Sequence, residues 1–276
     1  MKRKLTTVPG YRLGSVIASH GWSGLPPFRV EAPQRISFGV RISGGVFDAL
    51  LTEENQTVYL ESRGPIAEIE RAAREMFRMD QDLSDFYRHA VRHDRAWIRR
   101  KQMGRMLRAQ TVFEDLVKMV LTTNCSWSFT QKMVGALVEH LGERTPGGIA
   151  LFPTPERLVS KREAFFRDTI RAGYRAPHLP VLGRIFARRE IDADAWMDPK
   201  VSTETIRKEI LSLPGAGPYV ADNVLKLLGR FDYLGIDSWV RKRLGRDDRA
   251  IRKAYEKHGE YRGLVLWCDV TKDWLS

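Results

Sequence analysis

The stretch Ile210-Leu-Ser-Leu-Pro-Gly-Ala-Gly-Pro-Tyr-Val-Ala-Asp-Asn-Val-Leu-Lys-Leu-Leu228 decides how the chain is read. Ile206, Ile210 and Leu213 recur at helical spacing and run into Pro214-Gly215-Ala216-Gly217. Pro218, a favoured first-turn residue, opens a second helix whose Val220, Val224, Leu227 and Leu228 face the core. The two glycines permit a tight turn and let a phosphate oxygen approach the backbone closely. Free amides at the start of the second helix then point at that phosphate from the positive end of the helix dipole. Such a grip holds a phosphodiester backbone without reading its sequence. A dinucleotide-binding fingerprint does not fit, because Val220 occupies the third glycine position and the preceding segment is helical. A purely structural turn between helices is the alternative.

Downstream of the hairpin comes Asp232-Tyr-Leu-Gly-Ile-Asp237-Ser-Trp-Val-Arg-Lys-Arg-Leu244. Standing just before an apolar and basic helical stretch, Asp237 reads on its own as a helix N-cap. Asp222, the nearest rival carboxylate, lies on the second hairpin helix and reads as structural.

Upstream, the pattern changes twice. Arg35-Ile-Ser-Phe-Gly-Val-Arg-Ile42 alternates at period two, Gly44-Gly45 make a turn, and Val46-Phe-Asp-Ala-Leu-Leu51 and Thr57-Val-Tyr-Leu60 follow. These predict an antiparallel meander ending at Gly64-Pro65. From Ile66 the period is helical: Ile66, Ile69, Ala73 and Phe77 share a face, as do Leu83, Phe86, Tyr87 and Ala90. A further helix begins after Thr111, a cap for Val112, Leu116, Met119 and Val120. Another carries Phe129, Met133, Ala136, Leu137 and Leu141 and stops at Gly142. Helices are also predicted near 177–190, 203–212, 218–229, 237–244, 248–258 and 261–270. The fold class is therefore α+β: an N-terminal antiparallel sheet domain with helices over residues 1–90, then a mostly helical body over 91–276.

The chain has 276 residues, 43% of them hydrophobic, enough for one large domain or two smaller ones. Forty-six basic against 34 acidic residues give a net charge of +12, which favours a polyanionic partner, nucleic acid before an anionic membrane surface. The basic runs Arg95-Ala-Trp-Ile-Arg-Arg-Lys101 and Arg241-Lys-Arg243 add to that field, with a solvated helix face as the plainer reading of each. No apolar run follows the basic start, and no segment approaches the roughly 20 apolar residues of a membrane span. An intracellular protein of cytoplasm or nucleoid, with no membrane partner, is expected. Two distant cysteines, Cys125 and Cys268, exclude an all-cysteine iron–sulfur cluster and give no support to a disulfide scaffold.

Leu213-Pro-Gly-Ala-Gly-Pro-Tyr-Val-Ala-Asp222, with Asp237 following at about 20 residues, resembles the helix-hairpin-helix (HhH-GPD) DNA glycosylases. Asp237–Leu244 and Ile251–Arg262 are similar to the C-terminal helices of 3-methyladenine DNA glycosylase II, and Ala172-Gly-Tyr-Arg-Ala-Pro-His-Leu179 to a segment of 8-oxoguanine glycosylases. The strand-rich start is similar to the extra N-terminal domain of both groups, and the resemblance implies that the helical body over 91–276 is two-lobed. The resemblance implies that Asp237 stabilises positive charge building on deoxyribose as a base departs. It implies that Gly215, Ala216, Gly217 and Tyr219 hold the DNA backbone, and that a monovalent cation (Na⁺ or K⁺) sits at the Leu213 and Gly215 carbonyls, with no organic cofactor. Lyase members carry a lysine where this chain has Tyr219, so excision without strand cleavage is expected. Lys226, seven residues on and about 10 Å along the helix, is too far to substitute and reads as a solvated or phosphate-facing lysine. Tyr219 would instead line the base pocket, as would Trp267; Trp239 and Trp274 are further aromatic candidates, and core packing is the alternative for each. Asn124, in Leu121-Thr-Thr-Asn-Cys-Ser-Trp127, falls where the family fills the gap left by the extruded nucleotide, or else ends a helix in a left-handed turn. The implied partner is double-stranded DNA containing a damaged base, met by a monomer. An alkylated base, an oxidised purine, and a non-enzymatic DNA-binding role all stay open.

Overall fold

A computed structural model of the chain describes residues 1–275. Five strands, β1 (Lys2–Leu5), β2 (Phe28–Ala32), β3 (Arg35–Ile42), β4 (Gly45–Glu54) and β5 (Thr57–Ser62), form one antiparallel sheet in the order β1-β5-β4-β3-β2. The predicted meander is β3, β4 and β5. Its alternation puts Ile36, Phe38, Val40, Leu51, Val58 and Leu60 on the buried face, and β3 and β4 meet across Ser43 and Gly44, with Ile42 opposite Gly45. The edge strands β1 and β2 were not predicted. Each buries a single apolar residue, Leu5 and Phe28, so neither shows the alternation that marks a strand.

The helix Ile66–Met76 covers the sheet with Ile69, Ala73 and Met76, and Phe77 continues this face into a cluster with Phe28 and Phe38. From there to the C-terminus the described residues are mainly helical, in the spans that the periodicity indicates: His178–Ala187, Thr203–Leu211, Pro218–Leu228, Ser238–Leu244, Asp248–Glu256 and Arg262–Val270. None is long and apolar enough to cross a membrane.

The helix Val112–Thr122 runs through the centre. Thr111 caps it through the Glu114 amide, and every residue from Val112 to Leu121 is buried, three charged ones among them. These are all paired. Lys118 Nζ donates to Glu114 (2.6 Å) and to the Pro26 carbonyl (2.7 Å). Asp115 accepts from Trp22 Nε1 (2.8 Å) and from the Ala109 amide (2.9 Å). Because Trp22 and Pro26 precede the meander, this polar seam fixes the sheet to the helical body.

Candidate active site

Ser202 caps the first hairpin helix through the Thr205 amide, and Ile206 and Ile210 bury its apolar face. The turn closes with the Leu213 carbonyl accepting the Ala216 amide (3.1 Å). Gly215 lies at φ +80°, a left-handed conformation, and a Cβ there would sit 3.0 Å from the His178 ring. Gly217 differs. Its backbone is extended (φ −84°, ψ −176°), it caps the helix Pro218–Leu228, and nothing lies within 4 Å of where its Cβ would be. Packing therefore requires a glycine at 215 and leaves open space at 217. The amides of Gly217 and Tyr219 find no acceptor among the described residues, so the hairpin presents bare donors at a helix N-terminus.

Asp237 is half-buried at the head of the helix Ser238–Leu244 and caps it, Oδ1 accepting the Val240 amide at 2.7 Å. Its Oδ2 has no hydrogen bond among the described residues. The approach of its loop to the hairpin is fixed by Gly235, at φ +58°, where a Cβ would meet the Asn223 side chain at 3.0 Å. Asn223 in turn donates to the Tyr219 carbonyl (2.8 Å) and accepts from Lys226 Nζ (3.1 Å). Tyr219 is half-buried, and burial, reinforced by the negative charge of Asp237, holds its phenol above the ordinary range.

That helix end carries Asn124, exposed and left-handed at φ +47°. Asn124 Nδ2 donates to the Tyr174 hydroxyl (3.2 Å), which also bonds Thr123 Oγ1 (2.7 Å). Arg175, 3% exposed, donates to the Thr123 carbonyl, to Thr123 Oγ1 (3.2 Å) and to the Ala172 carbonyl (3.3 Å), and its guanidinium stacks on Tyr174 at 4.4 Å. The Gly-Tyr-Arg segment therefore shapes the Asn124 loop and leaves the Tyr174 ring 55% exposed beside it. Tyr174, Arg175, Asn223 and Gly235 were not singled out for the site from sequence. Only the family likeness of Gly-Tyr-Arg-Ala carried a signal for the first two.

Lys226 corrects the sequence reading. It is neither solvated nor phosphate-facing: it is 3% exposed, its ammonium lies 4.6 Å from the centre of the Trp267 ring, and burial lowers it to about 8. Spacing along a helix gives distance but not the covering supplied by another segment, here Trp267. Trp267 is half-buried, donates Nε1–H to the Ser19 carbonyl (2.8 Å), and packs with Trp239 (5.9 Å) and Trp274 (5.8 Å). Trp239 and Trp274 are 39% and 43% exposed, so aromatic surface adjoins Asp237. Asp222 is buried against Arg207 (2.7 Å), as a structural ion pair. Of the basic runs, Arg95 is bound by Asp269 (2.8 Å) and Arg241 by Asp248 (2.9 Å), while Arg99, Arg100 and Lys242 are exposed.

The whole chain superposes on a 3-methyladenine DNA glycosylase from Archaeoglobus fulgidus with a TM-score of 0.78 at 16% identity, each chain covered fully. Its fold is that of the helix-hairpin-helix DNA glycosylases. A Clostridium acetobutylicum 8-oxoguanine glycosylase/lyase, bound to double-stranded DNA containing cytosine opposite 8-oxoguanine, shares this glycosylase fold at a TM-score of 0.69 and 18% identity, covering 89% of this chain and 98% of its own. Among curated proteins, a Saccharomyces cerevisiae N-glycosylase/DNA lyase is 28% identical over 162 residues, 54% of this chain and 43% of the relative. A Bacillus subtilis protein provisionally named a DNA-3-methyladenine glycosylase is 23% identical over 170 residues, 57% of this chain and 58% of its own. The chain spans about half the length of these curated relatives. No protein-family model matches it.

Proposed function

We propose that this chain is a monofunctional DNA glycosylase that hydrolyses the N-glycosidic bond of a damaged base extruded from double-stranded DNA. The observation that carries this reading is the Asp237 carboxylate: one oxygen is anchored to the helix that it caps, and the other is left without a protein partner on a loop that Gly235 packs against Asn223 of the hairpin. The amides of Gly217 and Tyr219, with that of Gly215, hold a phosphate, while the Ala216 amide stays on the Leu213 carbonyl and shapes the turn. Asn124 and the exposed Tyr174 ring enter the gap that the extruded nucleotide leaves. As the C1′–N bond breaks, its electron pair leaves with the base and positive charge develops on the sugar. Asp237 Oδ2 stabilises that charge and orients the water whose oxygen bonds C1′. Losing such a fixed charge costs a factor on the order of 10² to 10³ in rate.

Tyr219 supports hydrolysis over lyase chemistry, because a phenol cannot form the imine that strand cleavage needs. The amine of Lys226 is engaged with Asn223 and covered by Trp267. Tyr219, Trp267 and the exposed Trp239 favour an electron-deficient alkylated base, held by stacking and cation–π attraction. A second reading, an oxidised purine, is favoured by Asn124 and its Tyr174–Arg175 support. The Gly215 carbonyl accepts no hydrogen bond among the described residues, so with Leu213 it fits a Na⁺ or K⁺ ion, which would add positive charge under the phosphate. The protein would act as a monomer.

Duplexes bearing single defined lesions, incubated with the protein and read with and without hot alkali, test this. Strand breaks that need alkali are expected on an alkylated base. Breaks without alkali mark a lyase, excision confined to 8-oxoguanine selects the second reading, and inertness on every lesion leaves a DNA-binding protein.

A further inference from the structure

Away from the hairpin, three of the chain's six histidines converge. His89 and His93 stand four residues apart on and just after the helix Ser84–Arg92, so they share one face. His258 comes from the turn between the helices Asp248–Glu256 and Arg262–Val270. One ring nitrogen of each lies within 4.8 Å of the others, and His89 Nε2 is 3.0 Å from His258 Nδ1. His258 is 1% exposed, and its Nε2 has no hydrogen-bond partner. His258 would bind through Nδ1, the nitrogen that faces His89.

We propose that His89, His93 and His258 form a structural site for a borderline divalent transition metal, zinc being the physiological choice. Three imidazoles with no carboxylate suit zinc and its neighbours and exclude calcium and magnesium, which take oxygen ligands. Zinc–nitrogen bonds of 2.0–2.1 Å in a tetrahedron place ligand nitrogens about 3.3 Å apart, close to the separation of His89 and His258. His89 and His93 are half-buried, which leaves a fourth position for water. The nearby cations oppose a dication, but Arg95 is bound by Asp269 through three hydrogen bonds. The metal would join the helix Ser84–Arg92 to the C-terminal helices. One of these buttresses the loop before Asp237, Gly263 donating to the Phe231 carbonyl at 2.8 Å.

The test uses the full chain without a polyhistidine tag, stripped with EDTA, desalted and titrated with zinc chloride against a chromophoric chelator. One equivalent should bind and raise the thermal midpoint by several degrees, and cobalt(II) should give the intense visible absorption of a four-coordinate ion. His93→Gln, at a half-buried position that the fold tolerates, should weaken zinc at least tenfold, while His140→Gln, outside the cluster, should leave affinity unchanged. Absence of stoichiometric binding by the parent, or equal affinity in His93→Gln, overturns the site.

Discussion

In the proposed reaction Asp237 would do two jobs with two oxygens, and the two can be separated. Oδ1 holds the Val240 amide, so removing the side chain also uncaps a helix. Asp237→Asn keeps a good cap and removes only the charge. Single-turnover excision should fall by about 10³-fold, with DNA affinity and the melting midpoint near those of the parent. Asp237→Ala should lose excision and also about 1 kcal/mol of stability, read by denaturant titration. The cap was legible in the sequence, because an aspartate before a helical run has few other uses; which oxygen stays free was not. His20 shows what stays hidden altogether. Its Nε2–H donates to the Leu107 carbonyl at 2.6 Å in a closed seam, and burial lowers it to about 4. Between the unfolded value of 6.5 and about 4 the unfolded chain binds a proton that the folded one refuses. Stability due to this residue is thus intact above pH 6.5 and lost as the pH falls, by about 3 kcal/mol in full. Denaturation at pH 7 and about 4.5 should show a smaller acid loss in His20→Gln; an identical loss in both would assign the acid sensitivity elsewhere.

At the level of elements, the two hairpin glycines separate folding from binding. Gly215→Ala forces a Cβ into a left-handed backbone and against His178, at a cost of about 1 kcal/mol or more. Gly217→Ala meets nothing, in an extended backbone that any residue adopts. Its thermal midpoint should match the parent, while affinity for undamaged duplex, followed by fluorescence anisotropy, should fall severalfold because the methyl group occupies the space a phosphate would use. Unchanged affinity would mean that the turn only joins two helices. The helices themselves were readable because each carries its own apolar stripe and punctuation: Thr111, Ser202 and Asp247 as caps, Gly229 and Gly245 as stops. The edge strands β1 and β2 were not, since they are strands only by pairing with β5 and β3. The support of Asn124 was equally invisible in spacing. Arg175 reaches it across 52 residues, through contacts to Thr123 that no local pattern encodes.

For the molecule as a whole, the net charge of +12 overstates what reaches a ligand. Several cations are used inside the fold: Lys118 on Glu114 and Pro26, Arg108 on Asp115, Arg207 on Asp222, Arg95 on Asp269, and Lys226 under Trp267. Arg175 is turned onto backbone carbonyls. These groups carry charge but are already engaged within the fold, Arg95 and Arg207 by carboxylates while partly exposed and the others while buried. The grip proposed for the hairpin is made of amides, which would bind phosphate without releasing an ion pair's worth of salt. Binding to undamaged duplex should therefore show a salt dependence set by the exposed cations that meet phosphate, not by the net charge. With a slope of about −0.9 per contact, about five such contacts would lower affinity roughly 500-fold between about 50 and 200 mM salt. Asp237→Asn should shift the whole line slightly upward, since it removes a negative charge near the ligand, and should leave the slope alone. Exposed Arg99, Arg100 and Lys242 are among the cations free to contribute, and a charge-removing change at any one that contacts DNA should reduce the slope by about one unit. Anisotropy titrations across that salt range measure both quantities. A slope near zero would remove cation–phosphate contact from the account of this surface and leave the hairpin amides to carry any grip on the backbone by themselves.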